Sequence, residues 1–388
     1  MQRSSLYEFE KQPDVTFTLR TSLVTLVWRH WTPFTFWSCY LNKDTYPNIE
    51  KTFESIANTR VKLLNTWVNN QWSQLDVLLE NIAGGFPHID QDALEERLKM
   101  VPDVSEYFVI DTQGKVLGST TKSRLHKIDL HTKAIESGIK APFLHGPYID
   151  SNTASIGASS SKFHDAVTLM LYLPIKKGEA SIGAVCARIP NDVISDIIQR
   201  EAGHIYKESG DNYLFMVKPE FDKTILPGTA LSRSRFEDNT FSHGENLKSG
   251  ITTDWGTVKV KQHTEFEIRF TDPATKALHP GVRETIKNGQ NLFVTYPGYS
   301  DYRHIPVIGK GVTFQLKGSP DTWGMMCEGD LGGSLPSSIY QFKADEKLRV
   351  CVQRAHYGQH STASLHQLIC RDDSHRGFCQ PRHHRMAI

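Results

Sequence analysis

Tyr148 and Asp150 stand two positions apart in the run Gly146-Pro147-Tyr148-Ile149-Asp150. An aromatic face beside a carboxylate is a reasonable clamp for a small polar molecule. The same pair also suits a structural role, with Tyr148 packed and Asp150 capping the turn Ser151-Asn152. Further along, residues 167–173 alternate as a strand does. Val167, Leu169, Leu171 and Leu173 fall on one face, and Thr168, Met170 and Tyr172 on the other. The mixed face suits a pocket lining, with Thr168 and Tyr172 as its polar groups, or both faces are core. These are recognition residues rather than catalytic ones. No GxSxG, Walker A, HExxH or GxGxxG stands in a fitting context, so no enzymatic activity is expected. The histidines and cysteines after residue 350 match no zinc spacing, because no close Cys pair faces a close His pair. His131, His145 and His164 are scattered. Neither a metal nor a cofactor is expected.

Composition narrows the partners. The 388 residues carry 44 basic and 43 acidic side chains, a formal charge of +1. Such a balance gives no general attraction to nucleic acid or to an anionic membrane surface. The six cysteines form no CxxC pair, and residues 45–330 hold only Cys186 and Cys327. That usage suits a reducing compartment or a large domain that needs no staples.

The elements that must position these residues can be read from periodicity. Residues 46–83 repeat apolar side chains at three- and four-residue steps (Phe53, Ile56, Leu64, Val68, Trp72, Leu75), which predicts one long amphipathic helix. Pro47 fits its first turn, and Gly84-Gly85 with Pro87 ends it. At 1.5 Å per residue it is about 55 Å long, enough to run along more than one domain. Its apolar periodicity exceeds what one sheet can cover, so a homodimer through this helix is expected. Short helices are predicted at 90–99, 129–138 and 192–200. Hairpins are predicted from 107–111 with 116–119, and from 166–174 with 181–189. A looser second set follows, with strands at 213–217, 255–261, 265–270, 312–316 and 323–327. Glu265, Glu267 and Arg269 alternate on one of these, which suggests cross-strand ion pairs on a solvated face. The fold class is α+β: a long N-terminal helix followed by two tandem PAS-like antiparallel-sheet domains.

The boundaries follow. Residues 1–45 form an atypical segment, 46–88 a stalk helix, 89–203 a first sheet domain, 204–330 a second, and 331–388 a poorly ordered tail. Within the first segment, residues 21–40 are apolar and aromatic but interrupted by Arg29, His30 and Pro33. A central Arg costs about 2.5–3.5 kcal/mol in a spanning helix, so a degenerate membrane anchor and a non-spanning segment both stay open. From Leu331 the composition changes abruptly, as a shifted reading frame or an unrelated fusion would make it.

The chain from about 48 to 330 resembles the extracytoplasmic double Cache region of bacterial methyl-accepting chemotaxis proteins. The residues that carry the resemblance are the long helix, Phe108-Val109-Ile110-Asp111 with Gly114-Lys115-Val116, Gly146 to Asp150, and Val167 to Pro174 with Ile182-Gly183-Ala184-Val185. Gly210 to Val217 and Trp323-Gly324-Met325-Met326 match the second half. The resemblance implies a membrane-distal domain that binds a small ligand, on one face of its sheet under the loop that carries Tyr148 and Asp150. It also implies a helix that relays binding across the inner membrane from the periplasmic side, a spanning segment at each end, and a signalling tip. The sequence shows neither a clean span nor the tip. It also places Arg188 where amine-sensing relatives keep an aspartate, and no Arg-x-Trp pair precedes the Tyr-x-Asp loop. A guanidinium at that point favours an organic acid or other small anion held by bidentate hydrogen bonds. The alternative is an ion pair from Arg188 to Asp150 or Asp192. The expected ligand set is therefore Tyr148, Asp150, Thr168, Tyr172 and Arg188, and the expected function is small-molecule sensing in a chemoreceptor-like protein. The other functions that fit are the input fragment of a histidine kinase or cyclic-dinucleotide synthase, and a free-standing soluble binding protein.

Overall fold

The computed structural model describes residues 7–10, 46–157, 160–161, 165–199, 211–234, 251–253, 256–260, 265–271, 275–288, 299–300 and 306–330. The expectations for residues 21–40 and for the tail from Leu331 lie outside them.

The long helix α1 runs unbroken over Tyr46–Ile82. Phe53, Ala57, Leu64, Val68, Trp72 and Leu75 are its buried stripe, while Lys62, Asn69 and Asp76 face solvent. A 3-10 turn at Ala83–Gly85 ends it, and the Phe86–Pro87 peptide that follows is cis. Helix α2 (Gln91–Met100) begins at Asp90, whose carboxylate accepts from the backbone N–H groups of Asp92 and Ala93. That cap satisfies donors a helix start otherwise leaves open.

Next come strands β2 (Glu106–Asp111) and β3 (Val116–Ser119), helix α3 (Thr132–Lys140) and strand β4 (Phe143–Ile149). A short helix α4 (Ser151–Ser155), strands β5 (Val167–Lys177) and β6 (Ala180–Pro190), and helix α5 (Asp192–Ile198) complete this part. The five strands form one antiparallel sheet in the order β3-β2-β6-β5-β4. Residues 146–150 differ from the expected loop. Tyr148 and Ile149 lie on β4 itself, and only Asp150 stands outside, as the cap of α4. The sequence hides this strand because Gly146-Pro147 interrupts its alternation, and the pairing with β5 slips between His145 and Tyr148.

The second part holds β7 (Asp211–Lys218), helix α6 (Pro280–Asn288), β10 (Tyr299–Ser300), β11 (Pro306–Phe314) and β12 (Thr322–Asp330). Its sheet order is β10-β11-β12-β7. Strands β8 (Ile251–Thr253) and β9 (Gly256–Val260) pair with each other, and β9 also pairs with β1 (Tyr7–Glu10). The strand expected at 265–270 is absent. Arg269 and Thr271 make only isolated bridges, to Thr229 and Leu278. The solvated ion-pair face expected there is corrected as well: Glu267 and Arg269 are exposed, but Glu265 is buried.

One core runs beneath α1 through both sheets. It joins Leu169, Leu171 and Val185 of the first sheet to Leu214, Trp323 and Met325 of the second. Trp72 marks the crossing. Its indole Nε1–H donates to Lys317 O at 3.0 Å in the β11–β12 turn, and the neighbouring Gly318 carbonyl accepts from Leu144 N–H of β4 at 3.0 Å. Gly318 has φ +85°, and a Cβ there would come within 2.7 Å of the Trp72 ring. Only glycine meets both demands. At the start of α1, Lys310 Nζ of β11 pairs with Glu50 at 2.7 Å.

Candidate ligand-binding site

The alternation of β5 sorts its side chains as the sequence indicates. Leu169, Leu171 and Leu173 join the core under α1, and Met170 and Tyr172 join a second cluster on the opposite face. Cross-strand register lays out that opposite face in rows. Glu106, Arg188, Met170 and His145 stand abreast on β2, β6, β5 and β4, with Phe108, Cys186, Tyr172 and Phe143 in the next row. Helix α3 closes over it, with Gly138 seated directly on Tyr172.

All five residues of the expected ligand set meet here. Arg188 is fully buried. Its Nη1 donates to Asp150 Oδ2 at 2.5 Å and to Thr153 Oγ1 at 3.0 Å, and its Nε donates to Glu106 Oε2 at 2.9 Å. Thr168 Oγ1 donates to Thr153 Oγ1 at 2.6 Å, and Tyr148 O–H donates to Asp150 Oδ2 at 3.1 Å. Arg124 extends the network, 2.6 Å from Glu106 and 2.5 Å from Asp129, with its guanidinium over the Phe108 ring. Two guanidiniums thus face three carboxylates. Arg188 makes the internal ion pair to Asp150, which the sequence left open against an anion contact. Its Nη2 and the hydroxyl of Tyr172 are nevertheless buried with no hydrogen-bond partner.

Electrostatics follow from this packing. Burial alone would raise the Asp150 pKa, but the Arg188 charge and hydrogen bond outweigh it and hold the carboxyl below its usual range. Burial raises Tyr148 and Tyr172 well above an ordinary phenol, so both stay neutral. His145 is pushed down to about 3 by burial, with His131 adding to the effect, so its imidazole is neutral near pH 7.

Beside this closed face lies a groove of about 860 Å³. One wall is His131, which caps the start of α3, and Lys133 of α3 with His145, Tyr148 and Ile149 of β4. The other comes from the second part of the chain, residues 221–226, Thr229, Phe266, Glu267 and Arg269. Aromatic rings form its base. His145 stacks on Tyr148 with centroids 3.8 Å apart, and Phe221 meets His145 edge-on at 5.0 Å and His131 at 5.9 Å. Its charged lining residues are Lys133, Lys223 and Arg269 with Asp222 and Glu267. Lys223 is turned to Glu220, whereas Arg269 Nε donates to Pro227 O and its Nη groups make no hydrogen bond among the described residues.

Of the expected set, Tyr148 alone lines this groove. Asp150, Thr168, Tyr172 and Arg188 do not line it; Thr168, Tyr172 and Arg188 are fully buried, and Asp150 is half-buried. Sequence reasoning named His145 only as a scattered histidine and Arg269 only in an alternating charged run, and it passed over Phe221 and Lys133. His145 had a further signal, its alternation with Phe143. Phe221 and Lys133 carry no local pattern that marks them for a groove, because its two walls come from segments distant in sequence. Glu106 also had a signal, a carboxylate on the strand face it shares with Phe108 and Ile110.

No protein-family model and no curated protein matches the chain. Solved structures do. An extracellular ligand binding receptor from Desulfohalobium retbaense is 10% identical over 71% of this chain, with a TM-score of 0.44, and the chain spans 40% of that receptor's length. The ligand-binding domain of the Pseudomonas aeruginosa amino acid chemoreceptor PctB, in complex with L-Arg, is 12% identical, covering 73% of this chain and 96% of that one at a TM-score of 0.45. The periplasmic sensory domain of the Campylobacter jejuni chemoreceptor Tlp1 is 8% identical, covering 75% and 98% at a TM-score of 0.44.

Proposed function

We propose that this chain is the small-molecule-sensing region of a chemoreceptor-like protein, and that it binds a small organic acid in the groove beside Tyr148. The observation that carries the reading is the groove itself. It has the volume of a ligand site, it lies at a junction between two folded units, and its walls come from both. An occupant would bind best to one relative position of the two sheets. Because α1 shares one core with both, that preference reaches the helix. Lys133 and Arg269 favour an anion, the aromatic base accepts a flat or apolar body, and neutral His145 adds no charge of its own. Arg188 then acts behind the wall, holding Asp150 and through it the Tyr148 hydroxyl. A second reading, a zwitterion such as an amino acid, is favoured by Asp222 and Glu267 on the same rim.

On this reading, 89–203 and 204–330 are the two sheet domains, the sensor faces the periplasm, and α1 supports a homodimer. Among the described residues, no helix is long and apolar enough to cross a membrane.

A thermal-shift screen of the full chain against organic acids, amino acids, amines and purines tests the proposal. Selective binding to the folded state raises the midpoint, by about 2.7 kcal/mol of stabilisation at a hundredfold excess over Kd. Acids should give the shift, and Tyr148→Ala and Arg269→Ala should each weaken it. A shift from amino acids alone would move the assignment to a zwitterion. If no class shifts the midpoint at millimolar concentration, the sensor reading fails.

A further inference from the structure

The two sheet units also meet away from the groove, at a buried junction around Arg233. Asp165, just before β5, and Asp192, the first residue of α5, come from the first unit. Arg233 and Glu265 come from the second. Arg233 Nη2 lies 2.6 Å from Asp165 Oδ2 and 3.4 Å from Glu265 Oε2, and its Nε lies 3.4 Å from Asp192 Oδ1. Arg233, Asp192 and Glu265 are all at least nine-tenths buried. Neutral groups complete the contact. Asn191 Nδ2 donates to Leu231 O and to Glu265 Oε1, Ser161 donates to Asp192 Oδ2, and Arg233 N–H donates to Ser195 Oγ.

This arrangement is unbalanced in charge. The described ion pairs give three carboxylates, Asp165, Asp192 and Glu265, one guanidinium. Asp192 Oδ1 and Glu265 Oε2 are buried without a hydrogen-bond partner. A pair of ionised carboxylates in that position is costly, because burial penalises each charge and the charges repel. A bound proton removes the charge and turns an acceptor into a donor.

We propose that Asp192 and Glu265, gathered with Asp165 around Arg233, form a proton-held latch between the two sheets: closed while Asp192 and Glu265 keep protons, and loosened when those protons leave. Burial is the main cause that raises Asp192 to about 7 and Glu265 to about 8, with Arg233 opposing it in part. In an open chain the same groups titrate near about 4. Their stabilising effect is therefore full below about pH 4 and is lost as pH rises through about 7 and then 8. The latch joins the same two units as the groove, so proton loss and groove occupancy are expected to influence each other reciprocally. The latch itself does not depend on what the groove binds.

The test uses the full chain with no ligand added. Thermal midpoints are measured at about pH 6 and pH 8.5 for wild type, Glu265→Gln and Glu265→Gln with Asp192→Asn. The amides mimic the protonated acids without the titration. Wild type should lose about 4 °C or more across this range, the single variant less, and the double variant almost nothing. Hydrogen exchange gives a second measurement in the wild type alone. Protection of the Arg233 amide, corrected for intrinsic rates, should fall at least threefold over the same range, while that of Val185 in mid-sheet stays constant. An undiminished slope in a folded variant, or Arg233 protection that holds or rises with pH, would overturn the latch.

Discussion

Arg188 illustrates how a buried charge is held in place. It donates to Glu106, Asp150 and Thr153 and has no solvent exposure, so its guanidinium, not water, solvates two carboxylates. Removing one partner of such a group is worse than removing the whole group, because it strands charge away from water. Arg188→Ala should therefore destabilise the protein by about 3–5 kcal/mol, read from urea unfolding midpoints at pH 7. Arg188→Ala with Glu106→Gln and Asp150→Asn should recover part of that loss. A single-variant loss under about 1 kcal/mol would mean that the carboxylates find water or protons, and that the network is not the support for Tyr148 described above.

Among the elements, α1 has the widest role, and Trp72 is where that role can be measured. The side chain fills the core between the sheets, and its N–H reaches Lys317 O in the second sheet's turn. These two contributions separate by substitution. Trp72→Ala should cost about 3–5 kcal/mol, since a large buried ring leaves a cavity the surroundings fill only in part. Trp72→Phe keeps most of the packing and loses the hydrogen bond. Lys317 is exposed, so water can replace the lost donor, and the expected loss is about 1 kcal/mol for that bond. Both follow from chemical denaturation followed at two probes, one in each sheet. Coincident transitions in wild type that separate in Trp72→Ala would show that the helix couples the two sheets. If the transitions stay coincident, other contacts carry the coupling.

Assembly and signalling belong to the molecule as a whole. Leu63 and Val77 lie fourteen residues apart on α1, a double heptad, and are 42% and 43% exposed on a helix whose other stripe is fully used by the core. Heptad-spaced apolar residues on one exposed face suit a partner helix. On the proposed reading that partner is a second copy of this chain. Sedimentation should find a concentration-dependent dimer, and Leu63→Glu with Val77→Glu should return it to monomer with little change in thermal midpoint. A variant that still dimerises would place the contact elsewhere. Persistent monomer in the wild type up to high micromolar concentration would remove the proposed dimer.

The sequence by itself determined the elements whose signal is local. The helix over residues 46–82 was legible because a three-to-four periodicity sustained over ten turns has few other solutions, and glycine and proline mark its end. The faces of β5 followed from strict alternation, and the residues of the expected ligand set do gather on one side of the first sheet. What escaped was settled at a distance. Strand β4 exists because β5 offers it a ladder despite the Gly146-Pro147 interruption, whereas residues 266–270 meet 228–230 through backbone hydrogen bonds and a single bridge that do not extend into a strand among the described residues. Whether Arg188 faces a guest or Asp150 depends on where β4 ends relative to β6. The groove depends on residues 221–229 and 266–269 arriving against β4 from another sheet. Local propensity fixes which segments can form a helix or strand, but a cavity or a shared buried charge belongs to surfaces that only folding brings together.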